Sequence, residues 1–415
     1  MVYVLSKDGQ PLMPTTRHGK IRRLLKEGKA KVVKRYPFTI QLQYESTTYT
    51  QELTLGLDAG SKHIGLSVTS DEKEYYAGEV ELRSDIVGLL SDRREVRRNR
   101  RNRKTRYRKK RFNNRRHFNG WLAPSVRNKI ETHLKVVENL HKILPIKKII
   151  VEVASFDLQK LRNPSISGVE YQHGDQFGFW NVREYVLCRD KHLCQCCHGR
   201  SGSNILNVHH IESRKTGGNA PNNLVTLCEV CHTGYHNGNI QLPETIRRGK
   251  VLKDATFMGV MRWAFYNRLK EQYHNVSMTY GYLTKNTRIE NKLNKTHCVD
   301  ARCITGYPMA DPLDVYYYQK KVRCHNRQIH KINAKNGVRK RNQAPYKVNE
   351  FRLFDKVLFD GVECFIFGRR SSGYFDLRKL DGTVVHRSAS YKKLILLEPR
   401  GSYLTERRLQ GFVAA

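Results

Sequence analysis

Apolar and polar positions alternate over residues 52–80 in three short runs, ELTLGLD, HIGLSVTS and KEYYAGEV, each the length of a strand. Further on, Val126, Ile130, Leu134, Val137 and Leu144 follow an i, i+4, i+8, i+11 rhythm, the stripe of a helix packed on one side, and Pro145 ends it. The run KKIIVEVASF (147–156) predicts a buried strand. Helical periods dominate 254–310, and 312–348 is basic, with Tyr316, Tyr317 and Tyr318 adjacent. Residues 351–397 form short alternating runs broken by Asp360-Gly361, Gly368, Gly373 and Asp381-Gly382, which are hairpin signals and predict a small antiparallel β-barrel. No repeat of fixed period is present. The pattern is that of a multi-domain α/β chain.

Charge changes this picture. The 415 residues carry 76 Lys and Arg against 38 Asp and Glu, a net charge of +38. A length of this order predicts roughly two to four domains, and 39% hydrophobic with 10% aromatic residues is enough to fold them. So large a charge repels itself and calls for a polyanionic partner. No run of about 18 apolar residues exists, which excludes a membrane-spanning helix, and MVYVLSKDGQPLMP lacks the features of a signal peptide. The expectation is an intracellular protein of the cytoplasm that binds nucleic acid.

The charge is also uneven. From Arg93 to Arg116 there are 15 basic residues: Arg93, Arg94, Arg97, Arg98, Arg100, Arg101, Arg103, Lys104, Arg106, Arg108, Lys109, Lys110, Arg111, Arg115 and Arg116. Only Glu95 is acidic there, and no Pro or Gly interrupts. Arg and Lys are good helix formers, so the segment predicts one long basic helix closed by Asn119-Gly120 and Pro124. A disordered basic tail is disfavoured because the segment is internal and apolar residues resume at Phe118, Trp121 and Leu122.

Six of the ten cysteines crowd into Cys188–Cys231, which reads as a metal site in a reducing compartment rather than a disulfide framework. Cys194-x-x-Cys197 and Cys228-x-x-Cys231 are two thiolate knuckles 30 residues apart, the donor set of a tetrahedral structural Zn²⁺. Cys196 is an additional thiol beside the first pair. Between and after the knuckles lie His209-His210, Asn223, His232 and His236. His232 and His236 are one helical turn apart and share a face. Adjacent histidines on a strand point to opposite sides, so one of His209 and His210 can bind a metal while the other deprotonates a water. Asn223 is a candidate for orienting that base.

This stretch resembles the HNH nuclease motif, a ββα unit that grips one catalytic metal, in its zinc-stapled form. The resemblance implies His210 as general base, His209 and His232 as ligands of a catalytic Mg²⁺, Asn223 as the middle residue of the motif, and His236 as a further candidate ligand. A purely structural double zinc finger leaves the spacing of His209, His210 and Asn223 unexplained.

Three carboxylates stand apart. Asp58 ends an apolar run in Gly56-Leu57-Asp58-Ala59-Gly60, Glu152 interrupts Ile149-Ile150-Val151 and Val153, and Asp300 follows His297 by three residues in KTHCVDARCI. A carboxylate within a buried strand must be paired or bind a cation, and three acids together can hold two Mg²⁺ for phosphodiester hydrolysis. Spacing alone does not join the three. Their segments resemble RuvC-I, RuvC-II and RuvC-III of the RNase H-like nucleases. With the basic helix after the first and the HNH-like insertion after the second, the order is that of the type II CRISPR effectors and their compact relatives. Pro11-Leu12-Met13-Pro14 and the basic VRCHNRQIHK at 322–331 are similar to features of the transposon-encoded IscB group.

That resemblance implies a split RNase H-like (RuvC) core, with Asp58, Glu152 and Asp300 as Mg²⁺ ligands and His297 as the water-activating or metal-associated histidine. It implies a PLMP domain at 1–50, RuvC-I at 51–86, an arginine-rich bridge helix at 87–124 and RuvC-II at 125–170. The HNH domain with its linkers would take 171–260, RuvC-III 261–340, and a C-terminal β-rich domain 341–415. The implied activity is RNA-guided cleavage of double-stranded DNA by a monomeric ribonucleoprotein in a prokaryotic cell. HNH would cut the guide-paired strand and RuvC the displaced one, with sequence choice delegated to a structured, transposon-encoded guide RNA. The bridge helix would neutralise guide phosphates, and Arg369, Arg370, Tyr374, Lys392 and Lys393 would touch a short flanking motif in the DNA. A protein-only HNH restriction or homing endonuclease accounts for 188–236 but leaves the basic helix and the three acids idle. A non-catalytic RNA-binding scaffold accounts for the charge but not for the acids and histidines.

Overall fold

The computed structural model describes residues 1–102, 121–153, 179, 181–213, 221–247, 253–323 and 346–410. The chain divides into two compact units, Met1–Ala154 with Val260–Ala415, and Ser155–Gly259.

The first unit begins with a four-stranded sheet of β1 (Val2–Leu5), β2 (Pro11–Thr15), β3 (Ala30–Lys34) and β4 (Thr39–Leu42), in the order β2-β1-β4-β3. Pro11–Pro14 lies in β2. The helix His18–Lys26 buries Ile21 and Leu24 against Val2, Val4, Ile40 and Leu42.

The three runs over 52–80 form β5 (Leu53–Ala59), β6 (His63–Thr69) and β7 (Glu74–Glu81), an antiparallel meander. The striped helix spans Pro124–His141, and its buried face includes Val126, Ile130, Leu134 and Val137. It returns the chain to β8 (Ile146–Val153), which runs parallel to β5. The helix Lys253–Gln272 begins in the inserted unit and continues into the first, followed by β11 (Val276–Tyr280) and the helices Gly281–Glu290 and His297–Ile304. β12 (Val315–Lys321) and β18 (Tyr403–Leu409) complete a seven-stranded mixed sheet of order β11-β8-β5-β6-β7-β12-β18. Every residue of β5 is buried, as a central strand covered on both faces requires.

Glycine fixes how the helix His297–Ile304 lies on this sheet. A β-carbon at Gly56 would stand 2.0 Å from the Ala301 carbonyl oxygen, and one at Gly65 2.1 Å from that of His297. Only hydrogen side chains at these two positions let the helix backbone rest on β5 and β6.

Two strands depart from the sequence expectation. Val276–Tyr280 interrupts a region of helical periods, since five residues rich in β-formers are too few to break the longer rhythm around them. The tyrosines of 316–318 lie in β12, where Tyr317 and Tyr318 are buried. The expected small barrel takes the form of a five-stranded antiparallel sheet. It comprises β13 (Lys356–Phe359), β14 (Val362–Arg369), β15 (Tyr374–Arg378), β16 (Val384–Ser390) and β17 (Ile395–Glu398), ordered β16-β15-β14-β13-β17. Val357, Cys364, Ile366, Phe375 and Leu377 fill its core. The chain then leaves it, and β18 pairs antiparallel with β12 in the larger sheet.

In the second unit the helix Val182–Arg189 is capped by Asn181, whose side chain accepts from the Glu184 amide. β9 (Leu206–His210) and β10 (Leu224–Cys228) pair antiparallel, and the helix Glu229–His236 follows directly, a ββα arrangement. Its core gathers Cys194, Val225, Leu227, Cys228 and Cys231. Among the described residues no helix is long and apolar enough to cross a membrane.

The basic helix is described as Ile86–Asn102. Arg103, Lys104, Arg106, Arg108, Lys109, Lys110 and Arg111 lie outside the described residues, as do Arg115, Arg116 and most of 322–331.

Candidate active site

On β9, His209 is 5% exposed while His210 is only partly buried, the opposite orientations that strand alternation demands. The helix after β10 brings His232 and His236 to His209, and one ligand nitrogen from each lies within 4.8 Å of the others. The Nε2 of His209 is buried without a hydrogen-bond partner, and burial, with its histidine neighbours, holds the ring down to about 4. A neutral imidazole with an unused buried lone pair fits a metal ligand. Asn223 is fully buried. Its Oδ1 accepts from the Glu212 amide at 2.9 Å and its Nδ2 donates to the Glu212 carbonyl at 3.0 Å. It thereby clamps the backbone two residues beyond His210.

Cys194, Cys197, Cys228 and Cys231 place four sulfurs within 4.8 Å of one another. The Cys197 and Cys231 amides donate to the sulfurs of Cys194 and Cys228 at 3.5 and 3.4 Å, the knuckle geometry of each CxxC turn. Cys197 Sγ and Cys228 Sγ are 3.7 Å apart, close to the ~3.8 Å edge of a tetrahedron with sulfurs about 2.3 Å from zinc. The Ser201 hydroxyl beside it draws Cys197 down, toward the thiolate a zinc needs, while burial raises Cys194 and Cys231. Cys196 is outside the group.

In the other unit, Asp58 on β5, Glu152 on β8, and His297 and Asp300 on the last central helix converge at one end of the large sheet. Leu57 pairs with Val151 in the parallel ladder, so Asp58 and Glu152 follow at the same level. His297 Nδ1 lies 2.7 Å from Asp58 Oδ2, and that bond raises the imidazole above its usual range. Burial raises Glu152 and Asp300, and the charge of Asp58 adds to both. Arg262 and Arg288 oppose this: Arg262 Nη2 is 3.5 Å from Glu152 Oε1, and Arg288 Nε 2.8 Å from Asp300 Oδ1. Crowded, partly buried carboxylate oxygens fit Mg²⁺ as donors. Each acid is now matched with a basic side chain, and the three do not form one cluster with ligand atoms within 4.8 Å among the described residues.

Among the described residues of this unit the group that does is His63, Glu79 and His297, of which the sequence pattern points only to His297. His63 Nδ1 stands 2.7 Å from Glu79 Oε1, and the His63 ring lies parallel to that of His297, centroids 5.3 Å apart. Gly65 pairs with Glu79 across β6 and β7, so His63, two residues back, shares its face. Strand alternation carried this signal, but only once the register is known. Arg262 and Arg288 gave no signal in the sequence.

Comparison with known proteins bears on both units. The model of a family described as RRXRR protein matches residues 2–174, and that of HNH endonuclease matches residues 194–238. The chain contains an HNH endonuclease domain. No curated protein matches the chain. Crystal structures of Streptococcus thermophilus Cas9 with the AGAA PAM and with the AGGA PAM each align over 52% of this chain and 31% of that one. Identities are 13% and 12%, and TM-scores 0.32 and 0.33. The chain thus spans about a third of the length of those Cas9 chains.

The HNH match includes both cysteine knuckles, His209, His210, Asn223, His232 and His236. The RRXRR match includes Asp58, Glu152 and the helix Ile86–Asn102. Arg93, Arg94, Arg97 and Arg98 are exposed on that helix, and Arg100 and Arg101 belong to it. In the five-stranded sheet, Arg370 hydrogen-bonds Ser388 Oγ at 2.9 Å, Tyr374 is exposed, and the Tyr391 amide donates to Gly373. These contacts bring Arg370, Tyr374 and the exposed Lys392 and Lys393 to one end of the sheet. Arg369 is tied instead to the Tyr346 carbonyl.

Proposed function

We propose that the protein is an RNA-guided DNA endonuclease of the IscB type, with the HNH domain cutting the guide-paired strand and a RuvC-like carboxylate centre cutting the displaced one. The observation that carries this reading is the convergence of Asp58, Glu152, His297 and Asp300, from separate segments, in the unit that does not contain the HNH domain. A protein-only HNH endonuclease has no use for them.

In the HNH domain, His209, His232 and His236 would hold one Mg²⁺, and His210, on the opposite face of the strand, takes the proton from the attacking water. Asn223 keeps the loop after His210 in place through the Glu212 backbone. In the other centre Asp58, Glu152 and Asp300 would hold two Mg²⁺, which polarise the phosphate and stabilise the leaving oxygen when bound. Arg262 and Arg288 neutralise the acids and must yield when the cations bind. His297, oriented by Asp58, accepts or returns a proton beside the reacting phosphate. The cysteine site would hold one structural Zn²⁺.

Guidance by RNA rests on the net charge of +38 and its concentration in one internal segment, Arg93 to Arg116. Arg93, Arg94, Arg97 and Arg98 present a phosphate-binding edge that reads no base. Arg370, Tyr374, Lys392 and Lys393 are the candidate contacts to flanking duplex DNA. Expression with the flanking native DNA, sequencing of copurified RNA, and cleavage assays before and after RNase treatment test the reading. It requires a defined RNA and loss of cleavage without it. Site-specific cutting by RNase-treated protein identifies a protein-only endonuclease instead.

A further inference from the structure

Two tyrosines flank Gly281, the residue that runs beside Glu152, and have no part in the chemistry above. The β11–β8 ladder sets Thr279 opposite Glu152 and Tyr280 opposite Val153, and the chain then enters the helix Gly281–Glu290. Gly281 runs so close to the carboxylate that a β-carbon there would stand 3.1 Å from Glu152 Oε1. Its neighbours Tyr280 and Tyr282 lie with ring centroids 6.1 Å apart and planes 12° from parallel. Tyr282 is 64% exposed. Lys285, three residues on and so on the same helical face, is exposed as well. Thr284, by contrast, is buried, and Arg288 turns inward to Asp300.

An aromatic face open to water, a cation one turn away and a carboxylate centre behind them match what an unpaired nucleotide offers. The base stacks on the ring and the phosphate meets the cation. A paired duplex keeps its base faces covered by its own neighbours. We propose that Tyr282, stacked on Tyr280, is a base-stacking platform for single-stranded DNA, which seats the displaced strand over Glu152 while Lys285 holds a flanking phosphate. The platform is indifferent to sequence, because every base has a π-face. The proposal rests on the reading of Asp58, Glu152 and Asp300 as a nuclease centre.

The test uses the full chain with its copurified RNA, carrying Asp58→Ala and His210→Ala to prevent cutting. The probe is a DNA oligonucleotide with one 2-aminopurine moved along it. The expected result is quenching at the stacked position, with affinity weakened about tenfold by Tyr282→Ala and retained in Tyr282→Phe and Tyr282→Trp. Lys285→Ala should lower the salt slope by about 0.7. Equal affinity and quenching in Tyr282→Ala and its parent overturn the proposal. So does an RNA oligonucleotide that loses as much affinity as DNA, which assigns the platform to RNA. Binding is read without cleavage, so failure of the nuclease reading shows separately, as undiminished cutting of the displaced strand by Asp58→Ala alone.

Discussion

His297 and Asp58 are 239 residues apart in sequence, yet Nδ1 of one lies 2.7 Å from Oδ2 of the other. The pair exists because Gly56 and Gly65 let the helix that carries His297 rest directly on β5 and β6. One end of that helix therefore delivers both His297 and Asp300 to the acids of the sheet.

This contact makes Gly56→Ala and Gly65→Ala costly. The added carbon at either position meets a backbone oxygen, which cannot rotate away. Overpacking of this kind costs about 1–3 kcal/mol or more. Thermal unfolding should show a lowered midpoint, and cleavage of the displaced strand should fall more than that of the guide-paired strand. Gly19→Ala, in a helix with nothing within 4 Å of the new carbon, should be neutral or stabilising by up to about 1 kcal/mol. If Gly19→Ala and Gly56→Ala behave alike, helix docking does not depend on these glycines.

The two proposed nuclease centres should fail independently. His210→Ala removes the proposed base of the HNH domain and should slow that cut about 10²–10⁴-fold, leaving a nick in the displaced strand. Asp58→Ala removes a proposed metal ligand and the partner of His297, and should leave a nick in the other strand. Strand-labelled gels read both. Continued double-strand breaks by His210→Ala would remove that histidine from the mechanism.

Zinc content should follow the four sulfurs and ignore the fifth nearby thiol. Elemental analysis of fresh protein should give about one zinc per chain, held by tetrahedral thiolates. Cys197→Ser should lower it and destabilise residues 181–247, because metal binding there is folding free energy. Cys196→Ser should change neither. Equal losses in the two variants would reassign the ligand.

What was legible in the sequence depended on distance along it. The two knuckles lie within about one supersecondary unit, so spacing alone predicts their thiolate cluster; resemblance is what pairs His209 with His232 and His236, and the ββα geometry brings those three rings together. Asp58, Glu152 and Asp300 come from three segments, and only resemblance joined them. The His63–Glu79 pair and the packing of His63 on His297 depend on cross-strand register, which no local pattern encodes. The same holds for β18, which crosses from the five-stranded sheet to pair with β12.

Stability should rise with pH through the histidine range because of His133. It is fully buried beside Phe265, its Nδ1 bonded to the Lys129 carbonyl at 2.8 Å, and burial lowers it from 6.5 to about 4. The unfolded chain binds this proton below about pH 6.5 while the folded chain does not until about pH 4. The contribution is therefore complete above pH 6.5 and is lost as pH falls toward 4, by roughly 3 kcal/mol in all. Denaturant melts of the wild type and His133→Gln between pH 4 and 7 should differ in slope by this term. Parallel profiles would mean that His133 takes up its proton in the folded state.

Binding of RNA should weaken steeply with salt, by about 0.7–0.9 log units per phosphate contact for each tenfold rise. The exposed Arg93, Arg94, Arg97 and Arg98 lie on one helix, so their loss should act on that slope rather than on base preference. Changing Arg94, Arg97 and Arg98 together to Ala should lower the slope by up to about 2–3 and reduce cleavage of both strands. Zinc content should be unchanged, because no thiolate is touched. Salt titrations of labelled RNA, with zinc measured on the same samples, separate the outcomes. A slope equal to that of the wild type would mean that this part of the helix does not meet the RNA backbone, and the phosphate contacts would have to be sought elsewhere in the chain.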